Sequence, residues 1–252
     1  MKRAARIFVI LPILLFLLYL FPFPPAALAQ GADSAEVRVW LNDLRRKQGL
    51  SELGRDPLLE RTAAAYAADL KRRGLLSHVD DLGRRALQRY QAQGGTSVLV
   101  GELLGSGPTP ASVTAAWEAS ASHREVLSNP LWTHCGAASV SAGGTSIWVL
   151  LFTSHRIYPL EILRRAGGYL IRGRLAPDRG VEPVLLSGIE RIDPLHWDPE
   201  SGEFSFSVSL DRGEIYHRLG YRSSDGALVV TDTFFPQAAV TSPDAATGSH
   251  PP

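Results

Sequence analysis

The chain has 252 residues, enough for one large domain or two modest ones with a real core. Its 26 Lys and Arg nearly balance 25 Asp and Glu, so no bulk field points to nucleic acid or an acidic partner. A single cysteine, Cys135, excludes an intrachain disulfide and any multi-cysteine metal site.

The first thirty residues, "MKRAARIFVILPILLFLLYLFPFPPAALAQ", run from a basic start through an apolar stretch to Ala27-Leu28-Ala29. That is the layout of a signal peptide over residues 1–29. Pro12, Pro22, Pro24 and Pro25 weaken the alternative of a retained membrane span. Either way the remainder lies outside the cytoplasmic membrane, in the periplasm or beyond, and membrane attachment requires that this segment stay uncleaved. Export without disulfides is a bacterial habit.

The first helix is expected from a Ser34 cap, with Val37, Trp40, Leu41 and Leu44 on one stripe and Gly49 as the stop. Asp56-Pro57 opens a second helix, with Leu59, Ala63, Tyr66 and Leu70 inward and Gly74 at its end. A third is expected over 84–93. Thr109-Pro110 signals a fourth, with Val113 and Trp117 facing in. The period then shortens: "TSVLV" at 96–100 reads as a strand, and Gly143-Gly144 joins strands near 135–142 and 145–153. Helices about a small sheet predict an α+β domain over 33–155. From 160 to 236 short runs such as "EFSFSVSL" alternate apolar and polar residues between turn residues, which predicts a small β-sandwich. Residues 237–252 are poor in large apolar side chains and are expected to be disordered.

Three polar residues sit at the edges of first-domain elements: His78 after the second helix, Glu102 within "VLVGELLG", and His123 in "WEASASHREVL". A carboxylate flanked by apolar residues needs a partner, because a lone buried ion costs several kcal/mol. Two imidazoles are able to serve, or all three groups meet around a metal or polar ligand. No HExxH, nucleophile elbow, phosphate-binding glycine loop or zinc-cysteine spacing occurs. Elsewhere, His134 is expected at the surface, Cys135 as a small buried side chain, and His155 as a solvated linker residue. Trp40, Trp117, Trp132 and Trp148 are expected in the core. Asp193, His196, Asp198 and Glu200 in "IDPLHWDPE" read as turn residues before they read as a metal site.

Residues 36–153 resemble the CAP superfamily (cysteine-rich secretory proteins, antigen 5, pathogenesis-related 1) in its bacterial, SCP-like branch. The resemblance rests on five pieces in order: "VWLNDLRRKQGLSEL", "DPLLERTAAAYAADLKRRGLLSH", "GELL", "AAWEASASHREVLSNPLWTHCGAA" and "IWVLLFT". It implies a three-layer α-β-α sandwich and one cleft lined by His78, Glu102 and His123. It also implies that a divalent ion such as zinc, where one is held, is held by His78 and His123. The chain departs from the family pattern at Leu103, where an asparagine is usual, at Ser120, a glutamate slot in animal and plant members, and at Ala121-Ser122, which replace a Pro-Gly turn. Glu118 points about 160° away round its helix and does not fill that slot.

The expected function is therefore a secreted or cell-envelope binding protein, its cleft taking a small-molecule or peptide ligand. The β domain would serve attachment or contact with an envelope partner. One alternative is a metal-dependent, peptidase-like hydrolase with Glu102 as base on bound water, although two nitrogens are one ligand short of the usual catalytic zinc. A lipid or sterol carrier is the other, known among the relatives.

Overall fold

The computed structural model describes residues 25–176, 181–209, 216–223 and 225–235. The expected tail at 237–252 and residues 1–24 of the expected signal segment lie outside the described residues. Among the described residues no helix is long and apolar enough to cross a membrane.

Helix α1 spans Pro25–Lys47 and α2 spans Pro57–Arg73. Residue Ser34 starts nothing: α1 runs straight through the expected cap from Pro25. Helix α2 begins where expected, because the Asp56 carboxylate accepts the N–H groups of Leu58 and Leu59 at 2.7 and 3.2 Å. It stops at Gly74, whose φ of 65° is the left-handed cap conformation. Helices α3 (Ala86–Ala92), α4 (Pro110–Ala119) and α5 (Ala121–Leu127) follow. Thr109 and Ser112 bond each other's backbone reciprocally at the start of α4.

Strands β1 (Gly54–Arg55), β2 (Val100–Gly107), β3 (His134–Ala142) and β4 (Thr145–Thr153) form one sheet in the order β1-β3-β4-β2. The expected strand at 96–100 is displaced: the sheet strand starts at Val100, and residues 96–98 pair elsewhere. Strand β4 is an almost unbroken apolar run because both of its faces are covered. Trp148, Leu150 and Phe152 pack with Val37, Leu41, Val113 and Trp117 from α1 and α4. Ile147, Val149 and Leu151 pack with Leu59, Tyr66, Leu70 and Tyr90 from α2 and α3. Helices on both faces make the three-layer α-β-α sandwich. Trp117, Trp132 and Trp148 lie in these cores, Trp40 packs partly buried against them, and Cys135 is buried.

Beyond residue 156 all regular elements among the described residues are strands: β5 (Ile157–Arg165), β6 (Gly168–Leu175), β7 (Pro183–Ser187), β8 (Glu190–Ile192), β9 (His196–Trp197), β10 (Glu203–Ser209), β11 (His217–Arg222) and β12 (Leu228–Phe234). They form two four-stranded sheets, β5-β6-β10-β9 and β12-β11-β7-β8. Ile162, Ile171, Phe204 and Phe206 of the first share one core with Leu185, Leu219 and Phe234 of the second. The first strand begins at Ile157, a little before residue 160. Asp198 acts as a turn residue, accepting the Glu200 N–H and the Ser201 hydroxyl.

Two expectations fail at the junction of the domains. His155 is not solvated: its side chain is 10 % exposed, and Nε2 lies 3.0 Å from the Asp56 carboxylate. His134 is not a free surface residue; it is half-buried, its ring 4.8 Å from those of His155 and Tyr158.

His217 of β11 is buried against Phe234, and its Nδ1 has no hydrogen-bond partner. Burial holds its pKa below the usual histidine value. The native state therefore favours neutral imidazole, and below about pH 6.5 the unfolded chain takes up a proton that the native chain resists. Stability conferred above that pH is lost as the pH falls towards the native pKa. Urea denaturation at pH 7.5, 6.5 and 5.5 is expected to show His217→Leu losing less stability on acidification than the parent, by up to about 1.4 kcal/mol per pH unit. Equal slopes would refute this role.

Candidate functional site: a His–Glu–Arg cleft

Tyr66 and Arg89 prepare the loop that carries His78. The Tyr66 hydroxyl, on the inward stripe of α2, donates to the Ser77 carbonyl. Asp80 then folds the loop into a tight turn by accepting the N–H groups of Leu82 and Arg84 at 2.9 and 2.8 Å. Arg89 of α3 donates to the carbonyls of His78 and Arg84 at 3.2 and 2.7 Å. Its guanidinium lies over the Tyr66 ring, 3.4 Å from the centroid.

Glu102 projects from β2, whose other face delivers Leu103 to the core. Its side chain is 5 % exposed, and both oxygens are engaged. Oε1 lies 2.7 Å from His78 Nδ1, and Oε2 accepts from the Arg89 guanidinium, itself 6 % exposed. A carboxylate so placed is an acceptor at both oxygens, so His78 Nδ1 carries a proton, and in the neutral ring Nε2 presents its lone pair. The His78 ring remains half exposed.

His123 enters from α5, which packs on β2. Its ring is half-buried, and Nδ1 is buried without a hydrogen-bond partner. Burial, with the neighbouring His78 imidazole second, holds its pKa below the usual histidine range. The three predicted residues are thereby brought to one region of the sheet edge.

The departures noted in the sequence have clear structural fates. Leu103 is a core side chain. Ser120 is the hinge between α4 and α5, its hydroxyl 3.1 Å from that of Ser122. Glu118 accepts the Trp40 indole N–H at 2.7 Å, so it is committed to α1. Cys135 is chemically quiet, its thiol pushed up to about 12 by burial.

Arg89 and Tyr66 were not among the candidates drawn from the sequence. The signal that could have found Arg89 is its position: with Ala86 and Tyr90 it forms the buried stripe of α3, where an arginine needs an anion.

The donor set does not fit a resident metal ion. Among the described residues no group of three His, Cys, Asp or Glu side chains is placed to hold one. Glu102 is already spent on His78 and Arg89, leaving only the His78 and His123 nitrogens. What the arrangement offers is His78 Nε2 beside His123, whose pKa burial lowers and whose Nδ1 has no hydrogen-bond partner.

Comparison with known proteins bears on the domain that carries this cleft. Residues 40–152 match the model of the cysteine-rich secretory protein family, CAP. The Bacillus subtilis protein YkwD is 33% identical over 112 residues, which are 44% of this chain and 43% of YkwD. The chain thus covers less than half the length of this curated relative. Among solved structures, an outer surface protein of Borrelia burgdorferi aligns with TM-score 0.45 at 29% identity, over 47% of this chain and 89% of its own. An extracellular SCP-domain protein of Bacillus anthracis aligns with TM-score 0.48 at 19% identity, over 53% and 45% of the two chains.

Proposed function

We propose a binding role for this chain, whose residues 40–152 are a CAP-family domain of bacterial type. It acts outside the cytoplasmic membrane, as the basic-apolar-small pattern of residues 1–29 supports. The cleft takes a small, neutral, polar ligand, a peptide amide or a hydroxyl-bearing molecule. Such a ligand donates a hydrogen bond to His78 Nε2 and meets the neutral His123 ring. The observation that carries this reading is the double engagement of Glu102. A carboxylate held by Arg89 and His78 orients an imidazole; it is poorly disposed to take a proton from water. The hydrolase alternative with Glu102 as base on bound water would need that carboxylate free.

Neutral probes test the reading directly. N-acetylated dipeptides and methyl glycosides would be titrated into the full chain, with the His78 and His123 ring signals observed by NMR. Binders are expected to shift both rings, and His123→Ala is expected to weaken them about tenfold, the loss of one hydrogen bond. Peptide-library hydrolysis above the level of the His78→Ala, His123→Ala double variant would overturn the proposal.

A further inference from the structure

Among the described residues, the β domain reaches the cleft segment through β12. Residues 96–98 lie along the outer edge of β12 and extend its sheet. Thr233 N–H donates to the Thr96 carbonyl at 2.7 Å, Val98 N–H donates to the Thr231 carbonyl at 3.0 Å, and Ser97 pairs antiparallel with Asp232. An exposed edge of β12 is thereby covered, which is how sheets avoid unpaired backbone groups.

Side chains reinforce the joint. The Asp232 carboxylate is fully buried and accepts the hydroxyls of Thr96 at 2.7 Å and Thr231 at 2.9 Å. Gln91 of α3 donates to the Thr233 hydroxyl at 3.3 Å. Beside the same junction, His155 Nε2 lies 3.0 Å from the Asp56 carboxylate that caps α2.

The segment so gripped is the one that builds the cleft. Arg89 precedes Tyr90 and Gln91 on α3, and Glu102 follows Val98 by four residues. Between them they hold the carboxylate and the backbone of His78. We infer that the β domain is a positioning element of the cleft: β12, through Asp232 and Thr96, fixes the α3–β2 segment and so the Arg89–Glu102–His78 geometry.

The inference shares with the proposed function only the identity of the cleft. Its test reads His78 without any ligand, so the two fail separately. Asp232 and Thr96 are positioning residues, since neither touches the cleft ring. Burial raises the Asp232 pKa, so its neutral isostere, Asp232→Asn, should preserve the joint. In long-range proton–nitrogen NMR spectra of the full chain in mildly alkaline buffer, His78 is expected as a single Nδ1–H tautomer. Asp232→Asn should keep that pattern, as should Phe206→Leu, which loosens the β-sandwich core without removing a hydrogen bond of the joint. Asp232→Ala is expected to give a mixture with the Nε2–H form. Thr96→Val, which conserves shape and folds without leaving a hole, should shift the population the same way to a smaller extent. If Asp232→Ala does not fold, Thr96→Val alone decides. An unchanged His78 pattern in the folded variants, or an equal disturbance by Phe206→Leu, would overturn the inference.

Discussion

Replacing Arg89 with methionine is expected to cost about 3–5 kcal/mol of stability, because it strands the Glu102 carboxylate without its cation. Glu102 is 5 % and Arg89 6 % exposed at the side chain, so solvent screens the pair weakly. The same change removes the donor to the carbonyls of His78 and Arg84, each a further part-buried acceptor. The double variant Arg89→Met, Glu102→Gln should recover most of the loss, since a neutral amide at position 102 tolerates the absence of a charge. Urea denaturation of the parent, both single variants and the double variant closes the cycle. A coupling energy below about 0.5 kcal/mol would mean that the two groups act independently. The salt bridge would then be incidental to the cleft.

The parts of the fold that were legible in the sequence are those set by neighbouring residues. Helix α2 begins at Asp56-Pro57 and ends at Gly74 because an acceptor, a fixed φ and a left-handed residue act within one turn of chain. The Gly143-Gly144 hairpin is legible for the same reason. The errors come from contacts made at long range. "TSVLV" has the composition of one strand, yet its first residues leave the sheet for β12, where Thr96 meets a carboxylate 136 positions away. His155 looks like a wet linker residue until the α2 cap, Asp56, turns its second oxygen towards it. The start of α1 was misplaced because Ser34 has a cap's composition without a cap's backbone.

The sequence singles out three polar residues at element edges, and the family resemblance is what joins them in one cleft. His78, Glu102 and His123 come from a loop, a strand and a short helix, so no spacing rule connects them. The resemblance joined those three positions and omitted Arg89, which engages the second oxygen of Glu102. A charge on the buried stripe of a seven-residue helix is a weak signal when the stripe is so short. Its meaning becomes plain only once the carboxylate is seen opposite.

Arg45 poses the same problem at the other side of the sandwich, with an effect of similar size. In "LRRKQG" it is indistinguishable from Arg46, yet one step along a helix turns the side chain by 100°. Arg46 stays exposed, paired with Asp43 and Glu52. Arg45 falls on the stripe of Val37 and Leu41 and is fully buried. Its guanidinium donates to the carbonyls of Ser51, Leu127 and Asn129 at 2.8, 2.9 and 3.1 Å. Leu127 is the last residue of α5, so Arg45 closes the end of the helix that carries His123. Arg45→Ala removes three donors and leaves a cavity, and is expected to cost about 3–5 kcal/mol. Arg46→Ala should change stability by less than about 0.5 kcal/mol, as an exposed pair does. Denaturation midpoints of the two variants read the contrast, and similar losses would show that burial does not separate these neighbours. The His123 ring signal supplies the functional half of the test: it should move in Arg45→Ala and stay in place in Arg46→Ala, because Arg45 and not Arg46 bonds the end of α5.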